Sequence, residues 1–324
     1  MINTSSLAKI IKGRVVGEKN TNITKISDVL QPEENSVVFL SKKKEIDKLL
    51  NCKKCVIVLS EELSQFFDKN FNLIVVENVL ISLARTCSFF YEQTYQNFNE
   101  NFKLDTSNNT FISDLADISP GTKIGNNCII EDYVKIGDHV SIGHNVVISR
   151  GVVIGNNVSI DHGTIIGSEG FGNIRNEDYT WTHIRHIGSV IIGDNVSIGA
   201  NNTIDRGTIN DTILDDGVIT DNQVHIAHNV CIGSNTAIAA KTGIAGSCKI
   251  GKRNMIGGMV GIVDHITTVD DVVITAKSTV YRNIKKPGTY SGIMPILEHT
   301  YWKRISTLIT KLDKIAKIAK IKKN

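Results

Sequence analysis

The sequence predicts a mainly β protein: a parallel β-helix of hexapeptide repeats, with a small α/β domain before it and helices after it. Three observations carry that expectation. Ten isoleucines from Ile112 to Ile166 (Ile112, Ile118, Ile124, Ile130, Ile136, Ile142, Ile148, Ile154, Ile160 and Ile166) stand six residues apart. The residues before about position 105 lack this beat. The last forty or so residues change to helical spacing.

The six-residue beat is the decisive signal. A helix repeats every 3.6 residues and a strand every two, so neither keeps one face buried over such a rhythm. An aliphatic residue followed by Gly and then Asn, Asp or another small polar residue is the mark of a parallel β-helix. Each hexad supplies one short strand and one corner, and three hexads close a triangular coil of eighteen residues.

Residues 1–105 form the first expected domain. The apolar runs Val37–Leu40, Cys55–Leu59 and Leu73–Val76 read as strands, and Ile46–Leu50 and Val79–Tyr91 as helices, which together make a small α/β layer. The polar stretch Asn97–Asn109 reads as a linker. Residues 106–284 form the β-helix. Its beat stops between Ser168 and Gly188, where SEGFGNIRNEDYTWTHIRHIG reads as a loop thrown outside the prism. It resumes at Ile192, Ile198 and Ile204, slips near Asn210, and continues from Ile226 through Ile262 to Ile274 and Val280. A long loop within a compact fold is a candidate wall of a binding site. Residues 285–324 follow Lys286-Pro287-Gly288 as a helical extension. Tyr301, Ile305, Leu308, Leu312, Ile315 and Ala319 alternate spacings of four and three, a heptad seam that fits a bundle of copies of the same chain, such as a trimer.

The bulk composition is that of an ordinary globular chain: 324 residues, 41% hydrophobic and 21% charged, with a net charge of +3. The charge is uneven. From Lys285 onward ten Lys and Arg face only Glu298 and Asp313, which favours an acidic partner. No apolar run is long enough for a membrane span, the start lacks the apolar core of a signal peptide, and nothing in the pattern points to nucleic acid. A cytoplasmic location is expected. The six cysteines form no disulfide framework, and Cys52-x-x-Cys55 has no second pair to complete a zinc site.

The eighteen-residue coil works as a ruler. His228 stacks under Gly246, and Gly246 under Asp264-His265, along one edge. A base, a main-chain amide and a second imidazole on one edge make a workable acyl-transfer site. Asp221, seven residues before His228, could fix the tautomer of its imidazole. His225, His228 and His265 could alternatively hold a metal. The other histidines, His139, His144, His162, His183, His186 and His299, read as surface residues.

Longer motifs narrow the reading. GSEGFG (Gly167–Gly172), IGANNTIDRGTINDT (Ile198–Thr212), DNQVHIAHNV (Asp221–Val230) and GIAGSCKIGKRNMIGG (Gly243–Gly258) resemble the UDP-3-O-(3-hydroxyacyl)glucosamine N-acyltransferases of lipid A biosynthesis. PGTYSGIMP (Pro287–Pro295) is similar too. The resemblance implies a homotrimeric, left-handed β-helix with a uridine-binding domain in front. It implies transfer of a (3R)-3-hydroxyacyl chain from the phosphopantetheine thioester of acyl carrier protein to the 2-amino group of a UDP-3-O-acylglucosamine. No metal and no resident cofactor are expected. The family's catalytic base falls on His228, its orienting acid on Asp221, its oxyanion amide on Gly246 and a sugar-nucleotide contact on His265. Phe39 matches an aromatic that grips the uracil, whereas Lys42 and Glu45 stand where the family carries Asn and Tyr. Thr279 stands where some members carry a Met that limits acyl length. Two rivals remain: the O-acyltransferase of the same pathway, which lacks a large domain before the hexads, and a non-catalytic trimeric scaffold.

Overall fold

Each hexad folds into a two-residue strand and a corner, as at Ile129–Ile130, Lys135–Ile136 and Ser141–Ile142. In this computed structural model, which describes residues 2–68, 70–95, 102–292 and 296–318, the strands stack into three faces of seven, nine and ten strands. Ordinary neighbours are eighteen residues apart and in register: His225 pairs with Gly243 and Gly243 with Gly261. The second residue of each strand points inward and the first outward, so Ile136 and Ile142 are buried while Lys135 and Ser141 are exposed. A second inward position lies two residues before each isoleucine, held by Val134, Val140, Val146, Val152 and Val158. Burying each such side chain contributes about 1.5–3 kcal/mol.

The corners explain the recurrent Asn. Asn127, Asn145 and Asn157 have φ near 58°, the left-handed conformation that lets the chain turn toward the next face, and Asn tolerates it better than most residues. The inward position after it is sometimes polar. Thr164, Thr236 and Thr242 are buried there, and their hydroxyls donate to the carbonyls of Gly199, Gly251 and Gly257. Asn202 goes further: its Nδ2 donates to the carbonyls of Gly199 and Asp221, while its Oδ1 accepts from the Val224 N–H at 2.7 Å.

Each of the two insertions shifts the ruler for one full coil, as at these two pairings. Ile165 pairs with Thr203, and Thr203 with His225. Both insertions leave the prism at the edge where the ten-stranded face passes into the seven-stranded one. The first contains an antiparallel hairpin, Asn173–Arg175 against Trp181–His183. The second is the short segment between Asp205 and Thr212.

In front lies a five-stranded sheet ordered Arg14–Val16, Asn72–Val75, Val56–Leu59, Ser36–Phe39 and Lys25–Ile26. The last four run parallel and the first antiparallel to its neighbour. Helices α1 (Thr4–Ile11) and α4 (Val79–Tyr95) contact each other, and α4 also packs on the two middle strands. The short α2 (Ile46–Leu49) and α3 (Glu61–Ser64) contribute to a second apolar cluster. Ile184, Ile187 and Ile209, from the two insertions, pack against the cluster that contains Leu7, Ile11 and Val37, so the insertions seat this domain on the prism.

Three expectations are corrected. The stretch Asn97–Asn109 is not simply a linker: Phe102–Asp105 forms an antiparallel strand on Thr110–Ser113 that closes the first coil, and residues 97–101 lie outside the described residues. The terminal helix is two, α5 (His299–Ile309) and α6 (Leu312–Ile318), interrupted at Thr310-Lys311. They belong to a separate unit, Gly292–Asn324, in which Tyr301, Leu308, Leu312 and Ile315 are exposed; Ala319 of the seam and residues 293–295 are outside the described residues. His186 is not a surface residue but fully buried. All six cysteines are free thiols, and the Cys55 thiol donates to the Cys52 carbonyl.

Candidate active site

The edge that throws out both insertions carries Asp132, Arg150, Arg206, His228, Gly246 and Asp264 at one corner position after another. The other two edges are partly closed at the same position. There the N–H of several coils is capped by the side chain of the coil above: Asn126 by His144 Nδ1, His144 by His162 Nδ1, Asp138 by Asn156, Asn156 by Asp194, and Lys252 by Asp270. Above His228 stands Gly246, which has no side chain to offer. Among the described residues the Gly246 N–H has no hydrogen-bond partner. A main-chain donor without a partner, beside an imidazole, is what a developing oxyanion needs.

A side chain at this point would displace the His228 ring. A Cβ built on Gly246 would lie 2.7 Å from both Cε1 and Nε2 of His228. The imidazole therefore lies flush against the next coil, with Cε1 and Nε2 facing Gly246.

The other ring nitrogen is held. His228 Nδ1 is 3.0 Å from Asn229 Oδ1 and 3.4 Å from Thr208 Oγ1. The orientation of the Asn229 amide follows from its own bonds: Nδ2 donates to the Asn210 carbonyl at 2.7 Å, and Oδ1 accepts from the Thr208 N–H at 3.0 Å. An oxygen facing Nδ1 calls for a proton on Nδ1, which leaves the Nε2 lone pair bare. The second insertion supplies Thr208 and Asn210. The slip in the repeat thus builds the device that fixes the tautomer.

Asp221 does not do that work within this chain. It follows the strand Ile219–Thr220 of the nine-stranded face, whereas His228 follows His225–Ile226 of the ten-stranded face. Seven residues span more than one hexad, so the two side chains stand at different edges. The Asp221 carboxylate is exposed and accepts from the Asn222 N–H.

A different carboxylate is near. Asp205 is buried, accepts from the Ser168 hydroxyl at 2.9 Å, and has Oδ2 3.7 Å from His225 Nε2. Burial raises its pKa, opposed by the Ser168 bond and by His225 and His228. His225 Nδ1 also meets Thr203 Oγ1 at 2.8 Å. Among the described residues no three His, Cys, Asp or Glu side chains are gathered as metal ligands, so His225, His228 and His265 do not converge.

His265 is exposed one coil above, its N–H donating to the Gly246 carbonyl at 3.0 Å. Phe39 ends the strand Ser36–Phe39, half-buried at the carboxyl end of parallel strands, where open α/β sheets bind ligands. Lys42 is exposed and Glu45 half-buried just beyond it. Between His225 and Thr279, Gly243 and Gly261 leave the ten-stranded face bare, and a Cβ at Gly243 would meet nothing within 4 Å.

Sequence reasoning singled out His228 and Gly246 but missed Asn229, Thr208, Asp205 and His186. The usable signal was the pair of breaks in the beat, since His186, Asp205 and Thr208 lie in or beside them.

The chain resembles known proteins along its whole length. Residues 133–168 and 189–209 match the model for the hexapeptide repeat of succinyl-transferase. The UDP-3-O-acylglucosamine N-acyltransferase of Vesicomyosocius okutanii is 42% identical over 330 residues, covering 99% of this chain and 98% of that protein. Proteins of the same name from Hahella chejuensis and Bordetella pertussis are 35% and 41% identical, over 48% and 45% of this chain. Those two matches span only 44% and 41% of the relatives' own length. Among solved structures, LpxA from Acinetobacter baumannii superposes with a TM-score of 0.52 at 25% identity, over 59% of this chain and 72% of that one. A UDP-N-acetylglucosamine acyltransferase superposes at 0.51 and 26% identity, over 64% and 80%. The architecture is that of a left-handed parallel β-helix of hexapeptide repeats.

Proposed function

Because this chain belongs to the UDP-3-O-acylglucosamine N-acyltransferase family, we propose that it moves a (3R)-3-hydroxyacyl chain from a carrier-borne thioester to the 2-amino group of a UDP-3-O-acylglucosamine. The observation that carries this reading is the placement of His228 Nε2 against Gly246, whose amide has no hydrogen-bond partner among the described residues, with Nδ1 occupied by Asn229.

The chemistry runs as follows. The amine attacks the thioester carbonyl, a C–N bond forms, and His228 Nε2 removes the ammonium proton. Negative charge grows on the carbonyl oxygen, where the Gly246 N–H can meet it. Collapse breaks the C–S bond, and the imidazolium returns its proton to the departing thiolate. Atoms and charge balance without a metal or resident cofactor, because the thioester arrives activated on phosphopantetheine.

We assign the partners on the same footing. Arg282, Lys285 and Lys286 are exposed at the end of the prism, with Lys303 and Arg304 exposed in the following unit, and suit an acidic acyl carrier protein. The nine-stranded face carries an apolar trough that includes exposed Ile219 and Met255 with Ala237 and Val273, which supports a homotrimer seated there. Asp221 lines that trough, and we assign it to the boundary with a second copy rather than to its own chain's His228. Phe39 and His265 are assigned to the uracil and to the sugar nucleotide. The bare strip at Gly243 and Gly261, bounded by Thr279, suits an extended acyl chain. No helix among the described residues is long and apolar enough to cross a membrane, and the free thiols and carrier-borne donor favour a cytoplasmic site of action. The domain in front of the hexads favours N- over O-transfer.

The test is turnover of His228→Ala. The proposal expects kcat to fall about 100-fold or more, the usual contribution of a general base. A variant that is folded and keeps nearly the full rate refutes the role.

A further inference from the structure

We propose that His186 is a positioning residue for this transfer: its uncharged, buried ring holds the His228 imidazole edge-to-face in the rotamer that aims Nε2 at Gly246. The inference rests on the acyl-transfer reading above and adds to it a residue that touches neither substrate.

His186 lies at the end of the long insertion and is fully buried. Its ring meets that of His228 at 75° with centroids 5.1 Å apart, an edge-to-face pair. Its Nδ1 is 3.0 Å from the Ile184 carbonyl. A carbonyl only accepts, so Nδ1 bears the proton and Nε2 is a bare lone pair. That Nε2 is buried without a hydrogen-bond partner among the described residues. A buried acceptor left unpaired is costly, and an aliphatic side chain would fill the space without that cost. The ring is therefore retained for a property Leu lacks.

The surroundings are built around the pair. A Cβ on Gly170 would lie 2.9 Å from His228 Cβ, 3.0 Å from its Cδ2 and 3.2 Å from His186 Nε2. A Cβ on Gly172 would lie 2.6 Å from His186 Cε1. Gly170-Phe171-Gly172 thus wraps both rings at van der Waals distance. Behind His186 the ring of His183 stacks at 6.3 Å, and Glu169 joins His183 at 2.7 Å and Arg185 at 3.1 Å. Arg185 in turn lies 4.5 Å over the Tyr91 ring of α4. The insertion is anchored to the front domain and presents His186 to the base.

Charge selects which ring works. Burial, and then the charge of His228, push the His186 pKa down to about 4. The titratable groups around the pair are His183, Glu169, Asp205 and His225. With His186 neutral, the proton taken from the amine has one place to rest, His228.

The experiment compares His186→Leu and His186→Phe in the full-length chain. Phe keeps a neutral ring, and Leu keeps volume alone. The inference expects kcat of His186→Leu to fall roughly 10- to 100-fold with both KM values within about threefold, and His186→Phe to recover to within about threefold of wild type. It is overturned if His186→Leu keeps kcat within about twofold, or if a folded His186→Phe is no better than His186→Leu. A second readout needs no turnover. The ring ¹⁵N and ¹³C resonances of His228 should report one Nδ1–H tautomer and one rotamer in wild type and His186→Phe, and averaging in His186→Leu; identical spectra in all three also overturn it. If wild type transfers no acyl chain, the acyl-transfer reading fails, while the His228 spectra still decide whether His186 positions the ring.

Discussion

At the residue scale, the site depends on groups that fix imidazoles. His228 is oriented by a carboxamide, that of Asn229, whose own direction is set by the Asn210 carbonyl and the Thr208 amide. The ruler of eighteen residues made His228 and Gly246 legible in the sequence, because stacking in register is a property of the repeat. Asn229 was not legible as a partner, since a corner Asn is common wherever the chain turns through positive φ, as at Asn127 and Asn145. Asp221 looked close to His228 by separation in sequence, yet within one chain it stands at a different edge. His186 could not be told from a surface histidine without knowing what the insertion packs on. Its burial has a consequence for stability. The pKa of His186 falls from 6.5 unfolded to about 4 folded. Above pH 6.5 both states are neutral and nothing is lost. As pH falls toward 4 the unfolded state binds the proton first, so stability is lost across that window at about 1.4 kcal/mol per unit. His186→Phe lacks this term. Denaturant unfolding between pH 7 and 4 should show the variant losing less stability than wild type, and parallel curves would contradict the burial of an uncharged imidazole.

At the scale of elements, the hexads were readable because one aliphatic side chain per strand faces inward. The second inward position was less readable, since it tolerates Val, Thr, Cys and Asn alike: Val152, Thr164, Cys128 and Asn202 all sit there. What unites them is the corner's geometry. A hydroxyl, thiol or amide at this place reaches main-chain groups that a valine leaves to the ladder. Asn202 is the strongest case, buried and bonded to the Gly199 and Asp221 carbonyls and to the Val224 N–H. Asn202→Ala leaves those groups unpaired and is expected to destabilise the chain by about 1–3 kcal/mol, read as a lower denaturant midpoint with an unchanged slope. No loss would mean that the interior amide is dispensable. The terminal helices were legible as helical, but the place where they divide was not. The break at Thr310-Lys311 falls within the heptad spacing, which carries no signal for it.

At the scale of the whole molecule, the departures from regularity are concentrated where chemistry is needed. Side-chain caps link several coils along two edges of the prism, whereas the third carries both insertions, His228 and the Gly246 amide. The same insertions seat the front domain through Ile184, Ile187 and Ile209. The front domain and the edge that carries His228 and Gly246 are thus fixed to each other by the segments that break the repeat. The most direct measurement is the identity of the product. The full-length chain is incubated with a (3R)-3-hydroxyacyl carrier thioester and UDP-3-O-acylglucosamine, and the sugar product is weighed before and after hydroxylamine. The expected product is heavier by one hydroxyacyl group, still holds one amide-linked hydroxyacyl group after hydroxylamine has stripped the 3-O-ester, and appears with one equivalent of released carrier thiol. No mass gain, or a product that hydroxylamine strips of every acyl group, would contradict the proposed transfer.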